Sequence, residues 1–265
     1  MPLVIDRQFT SQAAISCFIA TTPWAGSQLL CRMLRATGLV GHPRDYFNPL
    51  EVVRRSQEWG LFDSGEDFAP RYLDAVAESA MGDNNVLSVN LPWSHQRWLS
   101  RFAREASPDP AAASPRSDAE VIAAWYPQTR YLYLTRADKA RQATSWYLGR
   151  QSGSALVGGA ERPGRPPDFQ EVRWIETLIA RQEKAWESYF QLHGIGAHRI
   201  EYEALLERPE ETVAEILGWL RLPDSPTQAW SGEVHRQRQA EPAAWLPDYL
   251  AQREQLSTII GVRQG

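Results

Sequence analysis

Lysine is almost missing from this chain: Lys139 and Lys184 are the only two, and every other cationic side chain among the 28 is arginine. An anionic ligand must therefore be held by guanidinium groups or backbone amides. No Gly-Lys-Ser or Gly-Lys-Thr sequence occurs, which excludes an ordinary P-loop kinase or GTPase. Cysteine is scarce as well. Cys17 and Cys31 fall on a predicted strand and the helix after it, where they read as buried thiols rather than a disulfide, and a reducing cytoplasm suits them. No segment approaches the roughly 20 apolar residues needed to span a bilayer. The short apolar run Ile15–Ala20 lacks a basic cluster before it and runs into a turn, so it reads as a strand and not a secretion signal. A basic surplus is also absent. The net charge of −4 argues against a nucleic-acid-coating protein, while leaving room for one local site that takes a phosphorylated ligand.

What is present is the composition of a globular protein, 43% hydrophobic and 23% charged, and 265 residues suit one domain with one large core. Strand Ile15–Ala20 leads through a turn with Pro23 and Gly26 to a helical pattern at Leu29, Leu30, Met33 and Leu34 that stops at Gly38. A helix-like region around Glu51–Trp59 follows, then strand Val86–Leu91, strand Arg130–Thr135 and a helix from Asp138 to Arg150. A long amphipathic helix spans Phe169 to His193, with its tryptophan stripe read as core; strand His198–Tyr202, helix Thr212–Leu220 and a polar tail from Val234 complete the pattern. Residues 106–118 and 151–167 are rich in Pro, Gly, Ala and Ser and read as flexible insertions, the second as a mobile lid. No internal repeat is seen. Alternating strands and helices predict an α/β domain with a central parallel sheet flanked by helices and ligands at the carboxyl ends of its strands.

The first of those ends carries the chemistry. In the loop Thr21 to Gln28, Gly26 permits close backbone approach and Ser27 offers a hydroxyl, at the start of a helix whose unpaired amides and dipole favour phosphate or sulfate. Such a turn by itself is a weak signal, more often a purely structural connection. Read onward, however, Ala25-Gly26-Ser27-Gln28, Thr37-Gly38, Gly41-His42-Pro43-Arg44-Asp45-Tyr46-Phe47, Asn90-Leu91-Pro92-Trp93 and Leu134-Thr135-Arg136 follow in order. Together they resemble the PAPS-dependent sulfotransferases, in particular the bacterial trehalose sulfotransferase type. The resemblance covers about Cys17 to Tyr249 and implies the P-loop-like sulfotransferase fold.

It also implies roles. The donor 3′-phosphoadenosine 5′-phosphosulfate (PAPS) would be held by Thr22, Trp24, Ala25, Gly26, Ser27 and Gln28, with Arg136 and Ser145 on the 3′-phosphate, Tyr202 near the adenine, and Arg236 with Gln237 closing from the tail. Adenosine 3′,5′-bisphosphate would be the product, and no metal is implied. Asp45 stands at the family's carboxylate base, with His95 and His42 in reserve; Arg44, Tyr46, Phe47, Asn90 and Trp93 would wall a pocket for a sugar, glycolipid or other small-molecule acceptor. No nucleic-acid partner and no transmembrane segment are expected, and a homodimer is compatible with the pattern. The sequence departs from the family at Trp24 and Asn90, where cations are expected. Loss of preorganised charge at a leaving group costs about 3 kcal/mol, or about a hundredfold in rate. Arg32 and Arg44 are near enough in sequence to substitute. Two other readings stay open: a binding or regulatory protein that kept the fold, and an enzyme of the same fold with other group-transfer chemistry.

Overall fold

β-Branched, aromatic and leucine side chains in short runs build a four-stranded sheet at the centre of the protein. The computed structural model describes residues 9–62, 65–107, 116–152, 167–224 and 244–260. Strands β1 (Ile15–Thr21), β2 (Val86–Pro92), β3 (Thr129–Thr135) and β4 (His198–Glu201) lie in the order β2-β1-β3-β4, all parallel. Ile19 pairs with Asn90, and Thr21 with Pro92, so the ends of β1 and β2 are level. β1 and β2 are buried along almost their whole length, as in a parallel sheet covered on both faces.

Alternation of side chains sorts the two faces. Phe18, Ala20, Tyr131 and Tyr133 point into one core, packed by α3 (Phe68–Ala80), α4 (Trp93–Glu105), α5 (Asp118–Trp125) and α7 (Phe169–Leu192). Cys17, Ile19, Leu132 and Leu134 point into the other, packed by α1 (Ser27–Ala36), α8 (Tyr202–Glu207) and α9 (Pro209–Leu220). A smaller core joins α6 (Lys139–Ser152) and α7 to α10 (Leu246–Ile260), while α2 (Pro49–Glu58) follows the loop after α1. Trp186 of α7 is fully buried, stacks on Phe190 with centroids 5.3 Å apart, and donates its indole N–H to the Thr21 carbonyl at 2.8 Å. That bond fastens α7 to the end of β1, where the candidate anion loop begins.

The strands and the helices α1, α6 and α7 fall within a residue or two of their expected places. β4 is one residue shorter than expected, because Tyr202 opens α8. Trp174 of the expected core stripe is 54% exposed, while Trp186, Tyr189 and Phe190 of that stripe are buried. Helices α3, α4, α5, α8 and α10 were not anticipated. The expected insertion 106–118 has ordered ends: Ala106 finishes α4, and Ser117 with Glu120 forms a capping box that starts α5. Most of 151–167, and the tail carrying Arg236 and Gln237, lie outside the described residues. Among the described residues no helix is long and apolar enough to cross a membrane.

Candidate active site

The carboxyl ends of β1, β2 and β3 open on one cavity of about 630 Å³. The loop after β1 forms its floor. Gly26 sits at the N-cap of α1 with φ +95°, and among the described residues no side chain caps the helix, so the positive end of the α1 dipole faces the cavity lined by Gly26 and Ser27. Only glycine fits there: a Cβ on Gly26 would lie 2.1 Å from the ring of Tyr202. The loop is pinned from below by Gln142 of α6, whose amide donates to Thr22 Oγ1 at 2.9 Å and to the Pro23 carbonyl at 2.8 Å. Trp24 takes a left-handed conformation (φ 65°), and its indole lies on the backbone of Gly149, where an added Cβ would come within 1.9 Å of it. Trp24, Ser27 and Gln28 line the cavity as expected of a binding loop, whereas Thr22 and Ala25 are buried beneath it.

β3 delivers Arg136. Its guanidinium lies 4.7 Å over the ring of Tyr202, and its Nε is buried with no hydrogen-bond partner among the described residues. Burial pulls its pKa below the usual arginine value, opposed by Tyr202, Asp138 and Glu203. Asp138 is not its ion-pair partner; it pairs with Arg141 at 3.2 Å, while Glu203 accepts the amides of Ala137 and Asp138. Tyr202 does not line the cavity. It supports Gly26 and Arg136 from behind. Ser145 and Trp146 of α6 complete this side, the Ser145 hydroxyl donating to the Arg141 carbonyl at 2.8 Å.

Across the cavity, Arg44 forms a parallel bridge with Val89, and its carbonyl accepts the Asn90 N–H at 2.9 Å. This pairing lays the segment after α1 beside β2 and brings Asp45 to the first turn of α4. His95 Nδ1 faces both Asp45 oxygens, at 3.1 Å (Oδ1) and 2.9 Å (Oδ2), and Asp45 Oδ1 also accepts the Asn48 N–H at 3.1 Å. Asn90 lines the cavity, with Oδ1 buried and without a hydrogen-bond partner among the described residues.

Tyr46 and Phe47 are not pocket walls. Both are fully buried in the core; the Tyr46 hydroxyl donates toward the carbonyls of His42 (3.0 Å) and Ser79 (3.1 Å), and Arg55 covers its ring at 4.6 Å. Trp93 turns away as well, its ring 5.0 Å from that of Trp186, and His42 is exposed outside the cavity. Sequence reasoning missed Arg35, Asn48, Ser94 and Trp146, which line the cavity. Arg35 lies three residues after Arg32 on the polar face of α1 just past the anion loop, and that spacing from a residue already considered as a substitute cation was the readable signal for it. Among the described residues, Arg32 and Arg35 with Arg44 and Arg136 make four lining arginines against one lining carboxylate, Asp45, in a chain whose net charge is −4. The cavity is built for an anion.

The sequence profile of the Stf0 sulphotransferase family matches residues 16–252. The chain belongs to the Stf0 sulphotransferase family. Trehalose 2-sulfotransferase of Mycolicibacterium smegmatis is 24% identical over 262 residues, covering 88% of this chain and 94% of that protein. Trehalose 2-sulfotransferase of Mycobacterium tuberculosis is 24% identical over 271 residues, covering 93% and 98%. Among solved structures, a sulfotransferase domain from the curacin biosynthetic pathway aligns with a TM-score of 0.46 at 16% identity, over 81% of this chain and 76% of that one. As an Stf0 sulphotransferase the chain is a transferase, and the matched span takes in every cavity-lining residue.

Proposed function

We propose that this chain transfers a sulfuryl group from PAPS to a hydroxyl of a sugar, leaving adenosine 3′,5′-bisphosphate. The observation that carries the reading is Arg136: a half-buried guanidinium, stacked on Tyr202, with its Nε unpartnered among the described residues, beside the start of α1 that no described side chain caps. Burying an unpaired donor of a charged group is costly, and a ligand phosphate removes that cost. The residues present therefore fit the nucleotide: Arg136 and Ser145 for the 3′-phosphate, Gly26, Ser27 and the α1 dipole for the phosphosulfate end. PAPS supplies the activated sulfuryl group. The protein's own part is to orient it, shield it, and take the acceptor's proton through the Asp45–His95 pair.

The acceptor class rests on the two trehalose sulfotransferase relatives; a glycolipid or another hydroxylated metabolite offers the same chemistry. The binding-only alternative draws on Trp24 and Asn90, which stand where cations are expected. Against it, Arg32, Arg35 and Arg44 reach the same cavity, so the site keeps positive charge although the loop itself has none. Incubation with 35S-labelled PAPS and a panel of trehalose, monosaccharides and glycolipids tests the proposal. Labelled sugar supports it. Retention of all label in PAPS and free sulfate, with folded protein, overturns it.

A further inference from the structure

The Asp45–His95 pair is a unit with a direction. Both Asp45 oxygens face His95 Nδ1, and Oδ1 also accepts the Asn48 N–H, so the carboxylate is already engaged by two donors. For Nδ1 to donate it must carry the ring hydrogen, which leaves the lone pair on Nε2. Among the described residues nothing takes Nε2 by a hydrogen bond, and His95 lines the cavity. Its position in the first turn of α4, directly after β2, puts it at the ligand end of the sheet.

We propose, resting on the sulfuryl-transfer reading, that His95 Nε2 and not the Asp45 carboxylate receives the acceptor's proton, Asp45 being the positioning residue. The acceptor O–H bond breaks, its proton passes to Nε2, and the oxygen's electron pair forms the new O–S bond. The S–O bond to the nucleotide's phosphate breaks, its pair leaving on the phosphate. The imidazolium so formed has a carboxylate 2.9 Å away in a cavity otherwise lined by Arg32, Arg35 and Arg44 nearby and Arg136 across it. Asp45 is what makes a positive ring tolerable among them.

The test has an arm that needs no acceptor. Long-range 1H–15N spectra of the full chain with 15N-labelled histidine, assigned with His95→Gln, are expected to show the Nδ1–H tautomer in the wild type. They should show the Nε2–H form in Asp45→Asn, where an amide donates to Nδ1 instead. In the second arm, transfer from PAPS to trehalose is followed. His95→Gln lowers kcat at least a hundredfold, with affinity for adenosine 3′,5′-bisphosphate within about twofold of wild type as the fold control. Added imidazole restores part of the turnover of His95→Ala. A wild-type ring protonated on Nε2 overturns the assignment, as does His95→Gln retaining more than a tenth of wild-type kcat. Failure of the wild type to sulfate trehalose counts against the acceptor reading, while the tautomer spectra still decide the role of His95.

Discussion

Replacing Gly26 by alanine tests the link between backbone, Tyr202 and the anion site. At φ +95° an L-residue is strained by about 1–2 kcal/mol. The new methyl would also stand 2.1 and 2.6 Å from Tyr202 Cδ2 and Cε2, against a ring only 4% exposed that cannot swing into free space. Relieving such overpacking adds about 1–3 kcal/mol. Gly38→Ala is the internal control, since Gly38 has φ +70° but no atom within 4 Å of the added Cβ, so it carries the conformational cost alone. Urea unfolding should therefore place Gly26→Ala below Gly38→Ala by about 1–3 kcal/mol. Because Arg136 stacks on the displaced ring, calorimetry should show adenosine 3′,5′-bisphosphate binding weakened at least tenfold in Gly26→Ala and unchanged in Gly38→Ala. Equal stabilities, with unaltered nucleotide affinity in Gly26→Ala, would refute the reasoning.

Gly149→Ala puts a methyl 1.9 Å from the Trp24 indole and should push that ring into the cavity. It should weaken nucleotide binding in the same titration, and Trp24→Ala in the same chain should restore it. Burial, eased by Ser88 and Arg130, raises Cys17 to about 12; burial together with Cys17 and Asp45, against Arg32, raises Cys31 further. A disulfide reagent should therefore titrate neither thiol in native protein and both after denaturation. Burial, against the opposing charge of Glu215, holds His198 below its ordinary value of 6.5 while its ring stacks on Trp219 at 5.2 Å. Between the folded value and 6.5 the unfolded chain binds more protons, so this group's share of stability is whole above 6.5 and declines as pH falls below it. The difference in unfolding midpoint between wild type and His198→Gln should move against the wild type as pH falls below 6.5, and a difference that does not change with pH would contradict this.

The sheet was legible because its strands are buried on both faces and read as short apolar runs between turns, as in Phe18, Ile19 and Ala20 or Tyr131 to Leu134. Helix α4 was hidden by polar residues on its buried face, Gln96 and Ser100, which bond one another at 2.9 Å and so need no apolar disguise. Helix α3 was hidden by Pro70, which reads as a breaker yet is harmless in a first turn, where its missing N–H has no partner to lose. At the site, Arg136 and the Gly26 turn were readable from their places at strand ends. Tyr46 and Phe47 were misplaced because nearness to Asp45 in sequence says nothing about facing, and both turn inward where Asp45 turns out. The contact between Asp45 and His95 spans 50 residues and depends on the Arg44–Val89 bridge, which no local pattern announces.

Isothermal titration of the protein with adenosine 3′,5′-bisphosphate, wild type beside Arg136→Ala, tests the central claim most directly. The account predicts micromolar binding by the wild type and loss of about a hundredfold or more in the variant, the worth of one guanidinium fork on a phosphate. No binding by folded wild-type protein, or equal binding by the two, would contradict it.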